Sequence, residues 1–123
     1  MFKFSNYFFF KRDSSISSKG DTINSPKLAL VKQMIKSDKI VIFSKSYCIY
    51  CKMVKELFDK CDAQYTEYVL DGRDDGEEIQ KILGDLTGAT TVPRVFVNEK
   101  CLGGRAECKQ LYDSGKLQKL LIF

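Results

Sequence analysis

Ile40-Val41-Ile42-Phe43-Ser44-Lys45-Ser46-Tyr47-Cys48-Ile49-Tyr50-Cys51 is the stretch on which the reading of this chain turns. Ile40–Phe43 is an unbroken apolar run with three β-branched residues, which suits a strand buried on both faces. Ser44–Tyr47 reads as a polar turn. From Cys48 to about Lys60 the pattern becomes helical, with Val54, Leu57 and Phe58 on one face. A Cys-x-x-Cys pair therefore falls directly after a buried strand and at the opening of a helix.

That placement makes a thiol reactive. Only the thiolate is a good nucleophile. A helix start offers unpaired N–H groups and about half a positive charge, both of which stabilise an anion. The i, i+3 spacing sets the second sulfur beside the first on the opening turn. Cys48 is therefore expected to be exposed, of lowered pKa and the attacking group. Cys51, one turn inside, suits the resolving role. Lys45 and Lys52 add positive charge nearby. Structural zinc is the competing reading. With no His it would need four Cys, and Cys101 and Cys108 have six residues between them, so they form no second Cys-x-x-Cys.

Outward from this stretch, strands and helices alternate. Ser25-Pro26 reads as an N-cap followed by Pro at the first helical position, opening a helix through Leu28, Val31 and Ile35 to about Ser37. Tyr65–Leu70 reads as a second strand and Asp71–Gly76 as a polar loop. Ile79, Ile82, Leu83 and Leu86 define a further helix closed by Gly88. Val95-Phe96-Val97 and Cys101-Leu102 are short strands joined by a hairpin loop at Asn98-Glu99-Lys100. After Gly103-Gly104, a helical region spans Ala106–Leu121 with an interruption near Ser114-Gly115. The expected class is α/β, a small mixed sheet with helices on both faces.

The 123 residues are enough for one domain, and 44% hydrophobic with 29% charged is a globular composition. The absence of His excludes Ser-His-Asp and Cys-His catalysis and every His-ligated metal site. Five Cys at irregular spacing argue against a secreted disulfide scaffold and for a reducing compartment. Of the formal net charge of +4, half lies in residues 1–25. The remaining body is too balanced for a dedicated nucleic-acid binder, and no stretch approaches the ~20 apolar residues needed to span a bilayer. Residues 1–25 stand apart as an N-terminal extension. Six of the 15 aromatics fall in the first ten residues, no acid precedes Asp13, and five Ser follow in 14–25. This composition fits both a targeting segment and a disordered tail, and the expected location is accordingly cytoplasmic or mitochondrial. The functional domain is expected over 26–123.

Three segments resemble the glutaredoxin family, in the family's order. Phe43–Cys51 resembles its active-site segment. Leu86-Thr87-Gly88 followed by Thr91-Val92-Pro93-Arg94-Val95-Phe96-Val97 resembles the segment with the cis-proline. Leu102-Gly103-Gly104 resembles its Gly-Gly turn. The resemblance covers roughly residues 26–121. It implies a thioredoxin-like fold with a four-stranded mixed sheet flanked by helices on both faces.

It also implies glutathione-dependent disulfide exchange, with Cys48 and Cys51 catalytic and glutathione as co-substrate. Lys45 and Gln80 match positions that hold the glycine carboxylate. Val92, before a cis Pro93, matches the residue whose backbone pairs with the cysteine part of the tripeptide. Gly104 belongs to a turn that lets backbone approach the ligand. Ala106 and Glu107 match a helix start that receives the γ-glutamyl carboxylate, with Glu107 facing the ligand's ammonium. Tyr50 and Thr91 complete the expected glutathione-binding set. The expected partners are glutathione and glutathionylated proteins, with no nucleic acid and no membrane. Two positions depart from the family pattern: Ile49 stands where Pro is common, and Arg105-Ala106-Glu107 stands where Cys, Ser or Asp are frequent. Family members without that Pro include some that hold a [2Fe-2S] cluster between two protomers through the first Cys and glutathione. The alternative reading is therefore a cluster-binding or transfer protein with Cys48 as the metal ligand. A monomer is expected, or a dimer only with the cluster. A thioredoxin is disfavoured, since thioredoxins resemble Cys-Gly-Pro-Cys. Cys61 and Cys101 are expected to be packed thiols, and Cys108 follows the last helix start.

Overall fold

The structure, a computed structural model, describes residues 26–123. The extension over 1–25 and the Ser25 N-cap lie outside the described residues. The elements run α1 (Pro26–Lys36), β1 (Ile40–Ser44), α2 (Ile49–Lys60), β2 (Thr66–Val69), a 3-10 turn (Leu70–Gly72), α3 (Gly76–Thr87), β3 (Arg94–Val97), β4 (Lys100–Gly103), α4 (Arg105–Asp113) and α5 (Lys116–Leu120). The four strands form one sheet in the order β2-β1-β3-β4. β1 pairs parallel with β2 and antiparallel with β3, and β3 pairs antiparallel with β4. This is the mixed sheet expected from the sequence.

All five β1 residues are buried, and their alternation explains the unbroken apolar run. Val41 and Phe43 point into a core with Val31, Met34 and Ile35 of α1 and Ile79, Ile82, Leu83 and Leu86 of α3. Ile40 and Ile42 point the other way, against Val54, Leu57 and Phe58 of α2, Cys108 of α4 and Leu117 of α5. A strand facing two cores has no polar side to present. Each fully buried large side chain contributes about 1.5–3 kcal/mol of transfer free energy. Among the described residues, no helix is long and apolar enough to cross a membrane.

The connections differ from the sequence reading in detail. Asn98 and Glu99 both have positive φ, 52° and 70°, so the hairpin turns on two residues and Lys100 already belongs to β4. The Asp71–Gly76 loop begins as a 3-10 turn whose Leu70 is buried in the α1/α3 core. Gly76 starts α3 against the Leu70 carbonyl, where a Cβ would stand only 1.9 Å from the oxygen. Gly88 closes α3 in the left-handed region at φ 88°, as its position in the sequence suggests. The last helical region is divided at Gly115, φ 81°.

Candidate active site

β1 ends at Ser44, at the C-terminal end of an interior strand, and the polar turn carries the chain to Cys48. The Cys48 amide donates to the Lys45 carbonyl at 3.2 Å, closing the turn. Cys48 is the N-cap of α2, with extended backbone at φ −93° and ψ 113°. Its Sγ accepts the Cys51 backbone N–H at 3.1 Å. The sulfur thus takes the place that a Ser or Asp oxygen takes in ordinary helix capping. Its thiol also faces the Val92 carbonyl at 3.8 Å, and the Val92–Pro93 bond is cis, as the resemblance implied.

Cys51 is only 1% exposed. Burial pushes its thiol up to about 12, and its hydrogen bond with Cys48 adds to this, while the Lys45 backbone and the Lys55 cation pull the other way. One half-exposed sulfur and one buried protonated sulfur therefore sit on a single helical turn. The other thiols are further from use. Burial raises Cys61, Cys101 and Cys108, and the last two are enclosed in the two cores.

Asp71 braces the turn that precedes Cys48. Its carboxylate accepts the Ser46 amide at 2.9 Å and also the Ser46 hydroxyl. These two bonds hold the carboxyl below the ordinary range. The sequence reading placed Asp71 in a polar loop and gave it no role. The missing signal was register: Ser44 pairs with Val69 in the parallel β1/β2 ladder, and two residues further along each chain are Ser46 and Asp71. Below, the Ser44 hydroxyl and the Lys55 ammonium both donate to Glu67 Oε2, at 2.5 and 2.9 Å. Burial works to raise the Glu67 carboxyl, but these two donors hold it lower.

The residues expected to bind a tripeptide converge on the same end of the sheet. Gln80 donates its side-chain amide to the Thr90 carbonyl at 2.5 Å, tying α3 to the Thr91-Val92-Pro93 segment. Gly104 lies against that segment, since a Cβ there would meet the Pro93 oxygen at 3.2 Å and Arg94 Nη2 at 3.1 Å. Glu107 folds back over the turn, and its Oε1 accepts the Gly104 N–H at 2.9 Å. Gly103, at φ 106°, leaves room for this, because a Cβ would stand 2.9 Å from the Glu107 side chain. The two glycines are thus shaped around Glu107 and the cis-proline segment of the protein itself. Ala106 is exposed on the first turn of α4. Arg105 lies over the Tyr50 ring, 5.7 Å from its centroid, joining the starts of α4 and α2. Lys45 is half-buried beside Cys48, and Thr91 is exposed.

The sequence profile of glutaredoxin matches residues 40–102. The chain belongs to the glutaredoxin family. This glutaredoxin is similar to Glutaredoxin-C4 of Arabidopsis thaliana, with 48% identity over 106 residues, covering 86% of this chain and 78% of that protein. It is similar in structure to a buckwheat glutaredoxin–glutathione complex, with a TM-score of 0.74, 41% identity and coverage of 76% of this chain and 86% of the other. It also matches the holo form of glutaredoxin C1 from Populus tremula x tremuloides, with a TM-score of 0.77, 36% identity and coverage of 79% and 96%. These relatives bear out the thioredoxin-like fold and the redox class of this glutaredoxin. A [2Fe-2S] cluster would find one accessible thiol at the site, Cys48, since Cys51, Cys101 and Cys108 are buried. Among the described residues, no three His, Cys, Asp or Glu side chains group to hold a metal ion.

Proposed function

We propose that this glutaredoxin is a glutathione-dependent thiol–disulfide oxidoreductase acting on protein–glutathione mixed disulfides and protein disulfides. The observation that carries this reading is Cys48 Sγ, capped by the Cys51 N–H and facing the Val92 carbonyl. The Cys48 thiolate attacks the glutathione sulfur of the mixed disulfide. That S–S bond breaks, the protein thiolate leaves and takes a proton from water, and a Cys48–glutathione disulfide forms. A second glutathione thiolate then attacks the bound glutathione sulfur, and glutathione disulfide departs with Cys48 restored.

For a protein disulfide, the Cys48 thiolate attacks one substrate sulfur, and the other substrate sulfur leaves as a thiolate and takes a proton from water. Cys51 then loses its proton to water and attacks Cys48 Sγ in the mixed disulfide. The substrate sulfur held on Cys48 leaves as the second thiol, and two glutathiones reduce the resulting Cys48–Cys51 disulfide. Because burial keeps Cys51 a thiol at neutral pH, external glutathione has the advantage in resolving the first intermediate. Tyr47, Ile49 and Tyr50 are all exposed around Cys48, which favours a protein as the other half of the substrate. For the tripeptide, Lys45 and Gln80 are assigned to the glycine carboxylate and the Val92 backbone before Pro93 to the cysteine part. Gly104, Ala106 and Glu107 are assigned to the γ-glutamyl end, with Tyr50 and Thr91 at the flanks. The buckwheat relative is solved as a glutathione complex, which supports glutathione as the ligand.

The test is turnover of a glutathionylated peptide with glutathione as reductant. Cys48→Ser is expected to abolish turnover and Cys51→Ser to retain it, while Cys51→Ser loses reduction of a protein disulfide through the dithiol route. A Cys48→Ser protein as active as the wild type would overturn the assignment.

A further inference from the structure

Asp71 lies outside the cysteine pair and outside the residues assigned to the tripeptide, yet it grips the turn that carries both Lys45 and Cys48. Its two carboxylate oxygens take separate donors of a single residue, the Ser46 amide and the Ser46 hydroxyl. A two-point contact of this kind fixes the orientation of the peptide plane as well as its position. Ser46 sits inside the turn closed by the Cys48 N–H to Lys45 carbonyl bond, so its peptide plane sets where both flanking residues project. The mount on the other side is firm. Asp71 follows Leu70, which is 1% exposed in the α1/α3 core, and Gly76 packs directly on the Leu70 carbonyl.

We propose that Asp71 is a positioning residue which, through Ser46, aims the Cys48 sulfur and the Lys45 ammonium at their common substrate. Asp71 touches no reacting atom. Its effect is geometric: an exposed turn would otherwise sample several orientations, and a displacement of about 1 Å at a reacting group can lower a rate by about 100-fold. Lys45 also acts on the Asp71 carboxylate by charge, so both partners of the clamp point to the same turn. The activity part of this inference rests on the function proposed above. The part concerning Cys48 reactivity does not.

The experiment compares Asp71→Ala, Asp71→Asn and Ser46→Ala with the wild type, using two readouts. The first is the second-order rate of Cys48 alkylation by iodoacetamide at pH 7, in a Cys51→Ser background and without glutathione. The second is kcat and KM on a glutathionylated peptide. Asp71→Ala is expected to slow alkylation and to lower kcat/KM, each by about tenfold, with KM rising because Lys45 loses its aim. Asp71→Asn keeps an acceptor for the Ser46 amide, and the hydroxyl can turn to meet the new NH2, so it is expected to restore most of both. Ser46→Ala added to Asp71→Ala is expected to cost nothing further. Wild-type alkylation and turnover in Asp71→Ala would overturn the proposal, as would an Asn variant no better than Ala. If the wild type alkylates rapidly but does not turn over the peptide, the proposed function fails while the alkylation comparison still decides the role of Asp71.

Discussion

Gly103 adopts φ 106°, and a Cβ there would press on the Glu107 side chain at 2.9 Å. Two separate costs therefore attend any side chain at this position, left-handed backbone strain and a clash with the residue that caps Gly104. Gly103→Ala is expected to destabilise the protein by about 1–3 kcal/mol, measured by urea unfolding. Combining it with Glu107→Ala, which removes the clash but not the strain, is expected to recover part of that loss. Equal stability of Gly103→Ala and wild type would contradict the packing described. Cys48 and Cys51 show the same dependence on surroundings. They are identical in chemistry and three positions apart, but one caps a helix at the surface and the other is enclosed.

At the scale of elements, the junction of β1, β2 and α2 is held by Glu67, which receives the Ser44 hydroxyl and the Lys55 ammonium. Burial opposes ionisation of Glu67, and the two donors outweigh it, so its folded pKa lies below its ordinary value. A depressed carboxyl stabilises the fold fully above the ordinary pKa, and this contribution is lost as pH falls through the folded value. Thermal stability is therefore expected to decline on acidification from about pH 5 to pH 3, more steeply in the wild type than in Glu67→Gln. Parallel melting temperatures against pH for the two proteins would show that Glu67 is not the group responsible. Ser44 is fully buried with its hydroxyl bonded, which explains a polar residue at the end of a strand buried throughout. The element readings from sequence agree with the structure where periodicity was strong. They missed detail where backbone sign decided, as at Asn98 and Glu99.

Across the whole molecule, β1 divides two cores that share the sheet but few side chains. Ile42 faces the α2, α4 and α5 side, and Phe43 faces the α1 and α3 side. Ile42→Val is expected to cost about 0.5–1.5 kcal/mol and Phe43→Leu about 1–3 kcal/mol in urea unfolding. The double variant is expected to lose close to the sum, although the residues are adjacent, because their side chains belong to separate core clusters. A marked departure from additivity would mean that the two layers communicate through the strand. The sequence alone determined the mixed sheet with helices on both faces, the buried strand and the placing of a Cys-x-x-Cys motif where that strand gives way to a helix. Hydrophobic periodicity and a motif at a strand–helix junction are local properties of the chain. Only the tertiary structure decided that Asp71 holds Ser46, that Glu107 caps Gly104 and that Arg105 covers Tyr50. The Asp71–Ser46 contact arises because parallel pairing of β1 with β2 brings together residues 25 apart in sequence, a proximity set by register that no local pattern encodes.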